Sequence, residues 1–404
     1  MSRKVIKEHQ FTRAKNVINQ AYTTVPYYNK VFKKAGITPD DIRTLDDLSK
    51  IPITRKNDIK DVDNSERLSC KVKTKKLKEH RTGGSTGIAL SVFADNKTED
   101  IRVANVFRSY CMHGYRMQDT IAVLQFHPIP KRMIDRFGIC RRIEIPYNFT
   151  VSEQAALLKE IRPTILEGYP SRLNSLAVHM IERNDPGIAP RLIFTNSESL
   201  FDFQRENITR AFKVGPISIY DCWEFGTVAW ECDRHKGLHV NDDLIYLETV
   251  DRNGRGVHNE SGEIVITGLY NTAMPLIRYA MADKGVYSTK ECDCGRQFSM
   301  LERIDGRKSD GIHLDDGREI PGIAQIEGVL VKNKGIKEFQ AIQEKRGELI
   351  VRIVKNVQYR EDSEKVITSE LKRVIGLSSV KIIYVDSIMR TEVGKYKLIM
   401  SLID

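Results

Sequence analysis

Apolar and polar positions change their spacing along the chain, and the spacing predicts where strands and helices lie. From about residue 119, short apolar runs alternate with stretches whose apolar residues recur every three or four positions. The first pattern is typical of buried strands and the second of amphipathic helices. Strands that alternate with helices predict a largely parallel sheet covered on both faces. The predicted strands are 121–124, 164–167, 191–195 and 217–220, and the predicted helices are 152–161, 171–182 and 201–212.

The patterns on either side of this region are different. Upstream, residues 10–35 predict two helices joined by a turn at Val25-Pro26, and residues 98–114 predict another helix. Beyond about residue 240, strands follow one another with few helices between them, which indicates an antiparallel β subdomain. These strands are predicted at 244–250, 262–267 and 276–279.

The last hundred residues predict a separate small α/β unit. Strands are expected at 339–343, 348–354 and 381–385, with a helix at 363–375 that ends at Gly376. Apolar residues are expected on one face of this helix, and they are Val366, Ile367, Leu371, Val374 and Ile375. The predicted fold class is therefore α/β. A large domain, 1–306, contains the β subdomain at about 240–306, and a small domain spans 307–404.

Composition narrows the class of protein. The 404 residues are 41% hydrophobic and 29% charged, which is a globular balance. The formal net charge of +10 suits anionic ligands, but solvated lysine-rich faces are the favoured interpretation, because no aromatic residues interleave with the lysines. We therefore expect no nucleic acid partner. Seven cysteines, a polar N-terminus and no long apolar run lead us to expect a cytoplasmic protein that does not insert into a membrane.

A glycine-rich loop is the first candidate for chemistry. It comprises Thr82, Gly83, Gly84, Ser85, Thr86 and Gly87. Such a loop directs backbone N–H groups and hydroxyl donors at one point, which suits phosphate oxygens. It lacks the Gly-Lys-Ser/Thr ending of the standard phosphate loop, so a surface turn is the alternative.

Two further segments carry residues suited to a nucleotide. Tyr220 to Gly226 follows a predicted strand, at the end where open α/β sheets bind ligands. There, Tyr220 suits stacking on a flat base and Glu224 suits Mg²⁺, although a core aromatic cluster is the alternative. Asp283 follows Met274 to Tyr279 and suits a ribose, because one carboxylate accepts two hydrogen bonds. An N-cap or turn aspartate is the alternative there.

These segments, together with 306–310 and 390–397, resemble the phenylacetate–coenzyme A ligase family of adenylate-forming enzymes, including its capsule-polysaccharide branch. The resemblance runs nearly end to end and extends to Gly168-Tyr169-Pro170-Ser171 and to 269–276. It implies the adenylate-forming fold and an enzyme that joins a small carboxylic acid, aryl or related, to AMP. ATP and Mg²⁺ are the implied cofactors, and coenzyme A is the implied acceptor.

The resemblance also implies roles for individual residues. Thr82 to Gly87 would hold phosphates, and Ser197, Glu198 and Ser199 would lie beside the adenine that stacks on Tyr220. Glu224 would help to place Mg²⁺, Asp283 and Arg307 would bind ribose, and Asp310 would be a hinge. Lys395 would reach the α-phosphate and the substrate carboxylate, and the small domain would then rotate to admit the acceptor. The family often forms dimers, so a homodimer is also expected.

The sequence departs from the family pattern at a few positions. Ala89 replaces a common proline, and Ala280-Met281-Ala282 precedes Asp283, where Thr-Gly is usual. Trp223 is bulkier than the usual serine or threonine and changes the acid pocket. These departures concern the identity of the substrate more than the reaction. Three alternative functions stay open: amide or ester transfer in polysaccharide or antibiotic pathways, adenylyl transfer to a hydroxyl, and a non-catalytic nucleotide-binding or assembly protein.

A second candidate site is metal-binding. Cys232 and His239 are followed about fifty residues later by Cys292 and Cys294. Three thiolates and an imidazole are the donors of a closed structural zinc site, and relatives carry a similar set. His235 is a competing ligand, and a free Cys-x-Cys turn is the alternative to a metal site.

Overall fold

The chain folds into two compact units, each built from two stretches of sequence. A computed structural model describes residues 2–81, 90–124, 141–307, 311–320, 322–333, 335–360, 362–391 and 396–403. The first unit comprises Met1–Arg116 and Ile217–Ile304, and the second comprises Met117–Pro216 and Asp305–Asp404. The boundary between 306 and 307 stays a prediction. Within the described residues, no helix combines the length and the apolar character needed to cross a membrane.

The α-helices follow the periodic segments closely. They are α1 Arg3–Thr24, α2 Pro26–Ala35, α3 Lys56–Ile59, α4 Asn64–Arg67, α5 Asn96–Cys111, α6 Val151–Ile161, α7 Pro170–Glu182, α8 Asp202–Phe212, α9 Gly322–Leu330 and α10 Ser363–Leu371.

The strands lie where short apolar runs were predicted and at further positions. They are β1 Lys78–Arg81, β2 Ser91–Ala94, β3 Ile121–Leu124, β4 Arg142–Glu144, β5 Ile165–Gly168, β6 Leu192–Thr195, β7 Ile217–Cys222, β8 Gly226–Glu231, β9 Leu238–Val240, β10 Ile245–Val250, β11 Ser261–Gly268, β12 Tyr279–Ser288, β13 Met300–Arg307, β14 Ile312–His313, β15 Glu319–Ile320, β16 Ile336–Gln343, β17 Glu348–Lys355, β18 Ser379–Tyr384 and β19 Ile399–Ser401.

In the first unit, the α1–α2 pair packs on the antiparallel strands. Pro26 begins α2, because its missing N–H costs nothing at that position, and Gly36 ends it with a φ of 67°. Buried side chains of α1 and α2 form one core with Leu269 and Ile277. The N–H of Ile277 donates to the Tyr28 hydroxyl at 2.8 Å, which fixes this helical layer to the segment before β12.

Antiparallel pairing dominates the rest of the first unit, as predicted. β7 pairs with β8 and β8 with β9, while β10, β11 and β12 form a second antiparallel series. The pairing therefore begins near residue 217 rather than near 240. The strand predicted at 276–279 is wrong, because Arg278 has a left-handed φ of 44° and β12 begins only at Tyr279.

The second unit contains the predicted parallel sheet, which we call the parallel layer (residues 117–216). β4, β3, β5 and β6 lie side by side, and all three pairings are parallel. Helices α6, α7 and α8 bury their apolar faces against these strands. The central strands β3 and β5 are buried along their whole length, whereas the edge strand β4 is only partly buried.

The remaining part of the second unit is the C-terminal layer (residues 311–403). Its sheet has the order β18-β17-β16-β19, with α9 and α10 packed on it. Ile367, Leu371 and Ile375 are buried as predicted, since a spacing of four residues repeats one helix face. Val366 and Val374 are 54% and 41% exposed, so their assignment to that face is wrong.

Candidate functional site

The predicted site residues fall into three groups. Thr82 to Gly87, Asp310 and Lys395 lie outside the described residues, and their roles stay predictions. Tyr220, Glu224, Asp283 and the four metal-ligand candidates belong to the first unit, while Ser197, Glu198, Ser199 and Arg307 belong to the second.

Tyr220 and Asp283 form the central contact of the first unit. Tyr220 lies on β7 and Asp283 on β12, and the tyrosine hydroxyl donates to the carboxylate at 2.6 Å. Burial, followed by the charge of Asp283, raises the pKa of Tyr220 well above its ordinary value. The phenol therefore stays protonated and acts as the donor. This arrangement places a flat ring beside a carboxylate, as stacking on a base and hydrogen bonding to ribose hydroxyls would require.

A bulge in β12 brings Asp283 to this position. Glu263 opposes Lys284 and Val265 opposes Ala280, so the three residues Met281 to Asp283 lie opposite Ile264 alone. Ala282 has a φ of 60°, a left-handed conformation that suits glycine. A bulge of this kind re-aims a side chain. A glycine at position 282, as in the family pattern that the sequence resembles, would adopt this backbone without strain.

Glu224 and Trp223 lie in the tight turn between β7 and β8. The Tyr279 hydroxyl hydrogen-bonds to Glu224, and burial raises the pKa of this tyrosine. Arg102 on α5 donates to the Trp223 carbonyl oxygen at 2.9 Å. The Trp223 ring stacks on His80 with 5.7 Å between centroids, and the side chain is 41% exposed. Several elements of the first unit therefore position Glu224.

Glu198 is held by two backbone N–H groups, and the predicted place of residues 197–199 beside the adenine stays a prediction. Its Oε2 accepts the N–H of Ser171 at 3.1 Å, and its Oε1 accepts the N–H of Tyr396 at 2.7 Å. Burial raises the pKa of this carboxyl, although these two N–H groups oppose the shift. Ser197, which precedes it, has a φ of 64°. Glu198 thus contacts the residue that follows Lys395 in the chain.

Tyr396 is held by its side chain as well. Its hydroxyl donates to the carbonyl of Phe339, and the Arg390 guanidinium lies 4.4 Å from the centroid of its ring. Arg390 also pairs with Glu338 at 2.9 Å. The segment on both sides of the predicted catalytic lysine is therefore attached to β16. Arg307 is exposed at the end of β13, and its predicted contact with ribose stays a prediction.

The four predicted metal ligands come together in the first unit. Cys232 follows β8, His239 lies on β9, and Cys292 and Cys294 lie between β12 and β13. Their ligand atoms all lie within 4.8 Å of one another. His235 is not in this group; its Nδ1 lies 3.3 Å from the Glu231 carboxylate instead.

We call these three cysteines and one histidine the thiol cluster, and the distances between their ligand atoms fit a tetrahedrally coordinated metal ion. The sulfurs of Cys232 and Cys292 are 3.8 Å apart, and the Cys294 sulfur is 3.2 Å from Nε2 of His239. Metal–sulfur bonds of about 2.3 Å place tetrahedral sulfurs about 3.8 Å apart. Burial raises the pKa of Cys232 to about 12, so a bound cation would be needed to hold its thiolate. All four positions are protein donors, which is typical of a structural site.

Sequence reasoning missed several side chains that organise these groups. The His80 ring stacks on Trp223, and Oε1 of Glu99 lies 2.8 Å from Nε2 of His80. Glu327 accepts the backbone N–H of Asp202 at 3.0 Å. The one available signal for Glu327 was a helix start at Phe201, a residue with no acceptor of its own.

Comparisons with known proteins find a matching family model and relatives that are similar over most of the chain. The family model for the CapK C-terminal domain matches residues 316–401. A phenylacetate–coenzyme A ligase from Pseudomonas putida is 27% identical over 393 residues, which cover 93% of this chain and 87% of the relative. Protein CapK from Staphylococcus aureus is 23% identical over 362 residues, which cover 86% of this chain and 78% of that protein.

Solved structures show the same fold. The structure of 2-hydroxyisobutyryl-CoA ligase in the postadenylation state aligns with a TM-score of 0.82 at 20% identity, covering 99% of this chain and 90% of that one. The fold class predicted from the sequence is therefore confirmed. The chain has the fold of the adenylate-forming ligases, and over most of its length it is similar to phenylacetate–coenzyme A ligases and to CapK.

Proposed function

We propose that this protein is an AMP-forming ligase that activates a small carboxylic acid with ATP and passes the acyl group to coenzyme A. The observation that carries the proposal is the hydrogen bond between Tyr220 and Asp283, which presents a ring and a carboxylate side by side on a β-bulge. Likeness to relatives named phenylacetate–coenzyme A ligase over most of the chain supports it.

The first half-reaction forms a mixed anhydride. A carboxylate oxygen of the acid attacks the α-phosphorus of ATP, the bond to the bridging oxygen breaks, and pyrophosphate leaves with the electron pair. Negative charge on phosphate oxygens in the transition state favours nearby cations. Lys395 would supply one such charge, and Glu224 would help to hold Mg²⁺, which neutralises phosphate charge when bound.

The second half-reaction transfers the acyl group. The thiolate of coenzyme A attacks the acyl carbonyl carbon, the bond to the AMP oxygen breaks, and AMP leaves. The thiol proton passes to solvent or to a base. The products are a thioester and AMP, so no oxidant or reductant is needed.

Acid-dependent exchange of labelled pyrophosphate into ATP tests the first half-reaction over a panel of aryl and small aliphatic acids. We expect exchange with at least one acid, and Lys395→Ala should reduce it by a factor of about a hundred or more while ATP still binds. Lys397→Ala, two residues away, is the matched control. Undiminished exchange in Lys395→Ala would exclude the role of the lysine, and no ATP binding by the natural protein would exclude the function.

A different acceptor is the second candidate. The match of residues 316–401 to the CapK C-terminal domain favours a role in polysaccharide synthesis, with acyl transfer to an amine or hydroxyl. Product analysis with and without coenzyme A distinguishes the two acceptors. A thioester supports the first candidate, whereas an acid-dependent exchange that never yields a thioester supports the second.

We also propose that Cys232, His239, Cys292 and Cys294 bind a structural Zn²⁺ ion. The donor set, the 3.8 Å and 3.2 Å separations and the burial of Cys232 support this assignment. Metal analysis of protein purified without chelator should give about one zinc per chain. A stable protein free of metal would refute the proposal. The cytoplasmic location and the homodimer stay predictions.

A further inference from the structure

Two helices of the parallel layer follow a residue whose side chain does not accept a hydrogen bond from the first N–H groups of the helix. Tyr169 precedes α7 and Phe201 precedes α8, and neither side chain accepts a hydrogen bond from its helix. The first N–H groups of a helix have no partner within the helix. An acceptor from elsewhere in the fold must therefore supply the cap, or water must.

Glutamates supply the acceptor at both helices. Glu198 accepts the N–H of Ser171, the second residue of α7, at 3.1 Å. Glu327 on α9 accepts the N–H of Asp202, the first residue of α8, at 3.0 Å. A carboxylate at a helix N-terminus is also favoured by the helix dipole.

The two contacts connect the layers in opposite directions. Glu198 belongs to the parallel layer, and its other oxygen accepts the N–H of Tyr396 in the C-terminal layer at 2.7 Å. Glu327 belongs to the C-terminal layer and caps a helix of the parallel layer. Each layer thus donates a backbone N–H to a carboxylate of the other.

Aromatic side chains that follow Glu198 in the chain also pack against the C-terminal layer. The rings of Phe201 and Phe203 stack with an interplanar angle of 6°. The ring centroids of Phe203 and of Phe339 on β16 are 6.1 Å apart. Both phenylalanines pack against the core of the C-terminal layer. Glu198, Phe201, Asp202 and Phe203 therefore all contact that layer.

We propose that Glu198 and Glu327 are positioning residues that form a reciprocal clasp, which holds the C-terminal layer against the parallel layer in the arrangement needed for adenylation. The inference rests on the proposed function, because the lysine is assigned by that function. Tyr396, whose N–H is held by Glu198, follows the predicted catalytic Lys395 directly in the chain. The clasp must open when the layer rotates for the second half-reaction.

Comparison of the two half-reactions tests the clasp against the adenine contact first predicted for Glu198. Glu198→Ala removes both acceptors, and Glu198→Gln leaves one acceptor oxygen where two are used. We expect pyrophosphate exchange at saturating ATP to fall about tenfold or more in Glu198→Ala. The ATP Kd should change less than about twofold, and thioester formation from the preformed acyl-adenylate should not fall. Glu206→Gln, exposed on α8, is the control.

Three outcomes would overturn the clasp. A weakened ATP Kd with normal exchange at saturation would place Glu198 at the adenine. Equal losses in both half-reactions together with a lowered Tm would show a purely structural role. Glu327→Ala should reproduce the loss in exchange to a smaller extent, and an unchanged rate in that variant would remove Glu327 from the clasp.

Hydrogen exchange separates failure of the inference from failure of the function. The Tyr396 amide should exchange slowly in the natural protein and faster in Glu198→Ala, whether or not any acid supports pyrophosphate exchange. If the natural protein lacks pyrophosphate exchange but this amide is protected, the proposed function is wrong while the contact holds. If the amide is equally exposed in both proteins, the clasp is wrong.

Discussion

Two carboxylate contacts, Asp283 with Tyr220 and Glu198 with Tyr396, differ in how they are assembled. Asp283 meets Tyr220, 63 residues away, within the antiparallel strands of the first unit. Glu198 meets Tyr396, 198 residues away, and that contact joins two layers of the second unit. The first is fixed by strand pairing, whereas the second exists only when the C-terminal layer is docked.

This difference indicates which contact serves nucleotide binding and which one could control the order of the reaction steps. A contact set by strand register is present before any ligand arrives, which suits a nucleotide site that must be preorganised. A contact between two layers would suit a step that must be switched off, if the layers separate during the proposed reaction cycle. We therefore expect substitutions in the first unit to change ATP affinity or stability, and substitutions at Glu198 or Glu327 to change rates.

The largest expected effect comes from the thiol cluster. Cys294→Ser should abolish zinc binding and lower the Tm by about 5 °C or more, because a structural metal contributes directly to folding. ATP affinity should fall as well, since the cluster ties the segment after β12, which carries Asp283. Calorimetry, metal analysis and ATP titration measure these effects.

Cys70→Ser is the matched control for this experiment, because Cys70 is a free, exposed thiol outside the cluster. It should retain zinc and the natural Tm. If Cys294→Ser kept its Tm and its ATP affinity, the cluster would have no part in preorganising the first unit.

Asp283→Asn is the next largest change. The amide can still accept from Tyr220 but has lost the charge that strengthens hydrogen bonds to ribose hydroxyls, so we expect the ATP Kd to rise about tenfold. The Tm and the protection of the Tyr396 amide should stay unchanged. Tyr220→Phe, which leaves the carboxylate intact, should lose less affinity if the carboxylate itself binds ribose. An unchanged Kd in Asp283→Asn would contradict the ribose assignment.

A smaller effect is expected at the bulge. Ala282 has a φ of 60°, and a left-handed conformation costs about 1 kcal/mol for a residue with a Cβ atom. Ala282→Gly should therefore raise the free energy of unfolding of the first unit by up to about 1 kcal/mol. Ala104→Gly, exposed within α5, should lower it by a similar amount. Equal destabilisation by both variants would show that Ala282 is unstrained.

The sequence predicted the regular parts of both regions and missed their long-range contacts. The strand predicted at Ile121–Leu124 has the same bounds as β3, because a strand that is buried throughout appears in the sequence as a continuous apolar run. The bulge before Asp283 was not predicted, since an alanine at position 282 gives no sign of a left-handed backbone. The Glu327 contact was not predicted either, because it depends on how two layers dock and not on local spacing.

The pH dependence of docking should give the smallest effect and the sharpest distinction. Burial raises the pKa of Glu327 to about 7, with the charge of Asp202 adding to the rise and the N–H groups of Asp202 and Phe203 opposing it. When the layers separate, its pKa returns towards the ordinary value of about 4.3. Between these values the docked form holds the extra proton, so docking weakens as pH rises towards 7 and is constant above it. Protection of the Asp202 amide, corrected for intrinsic exchange, should therefore fall from pH 5 to 7. Glu327→Gln should abolish this slope, whereas Tyr220→Phe should retain it.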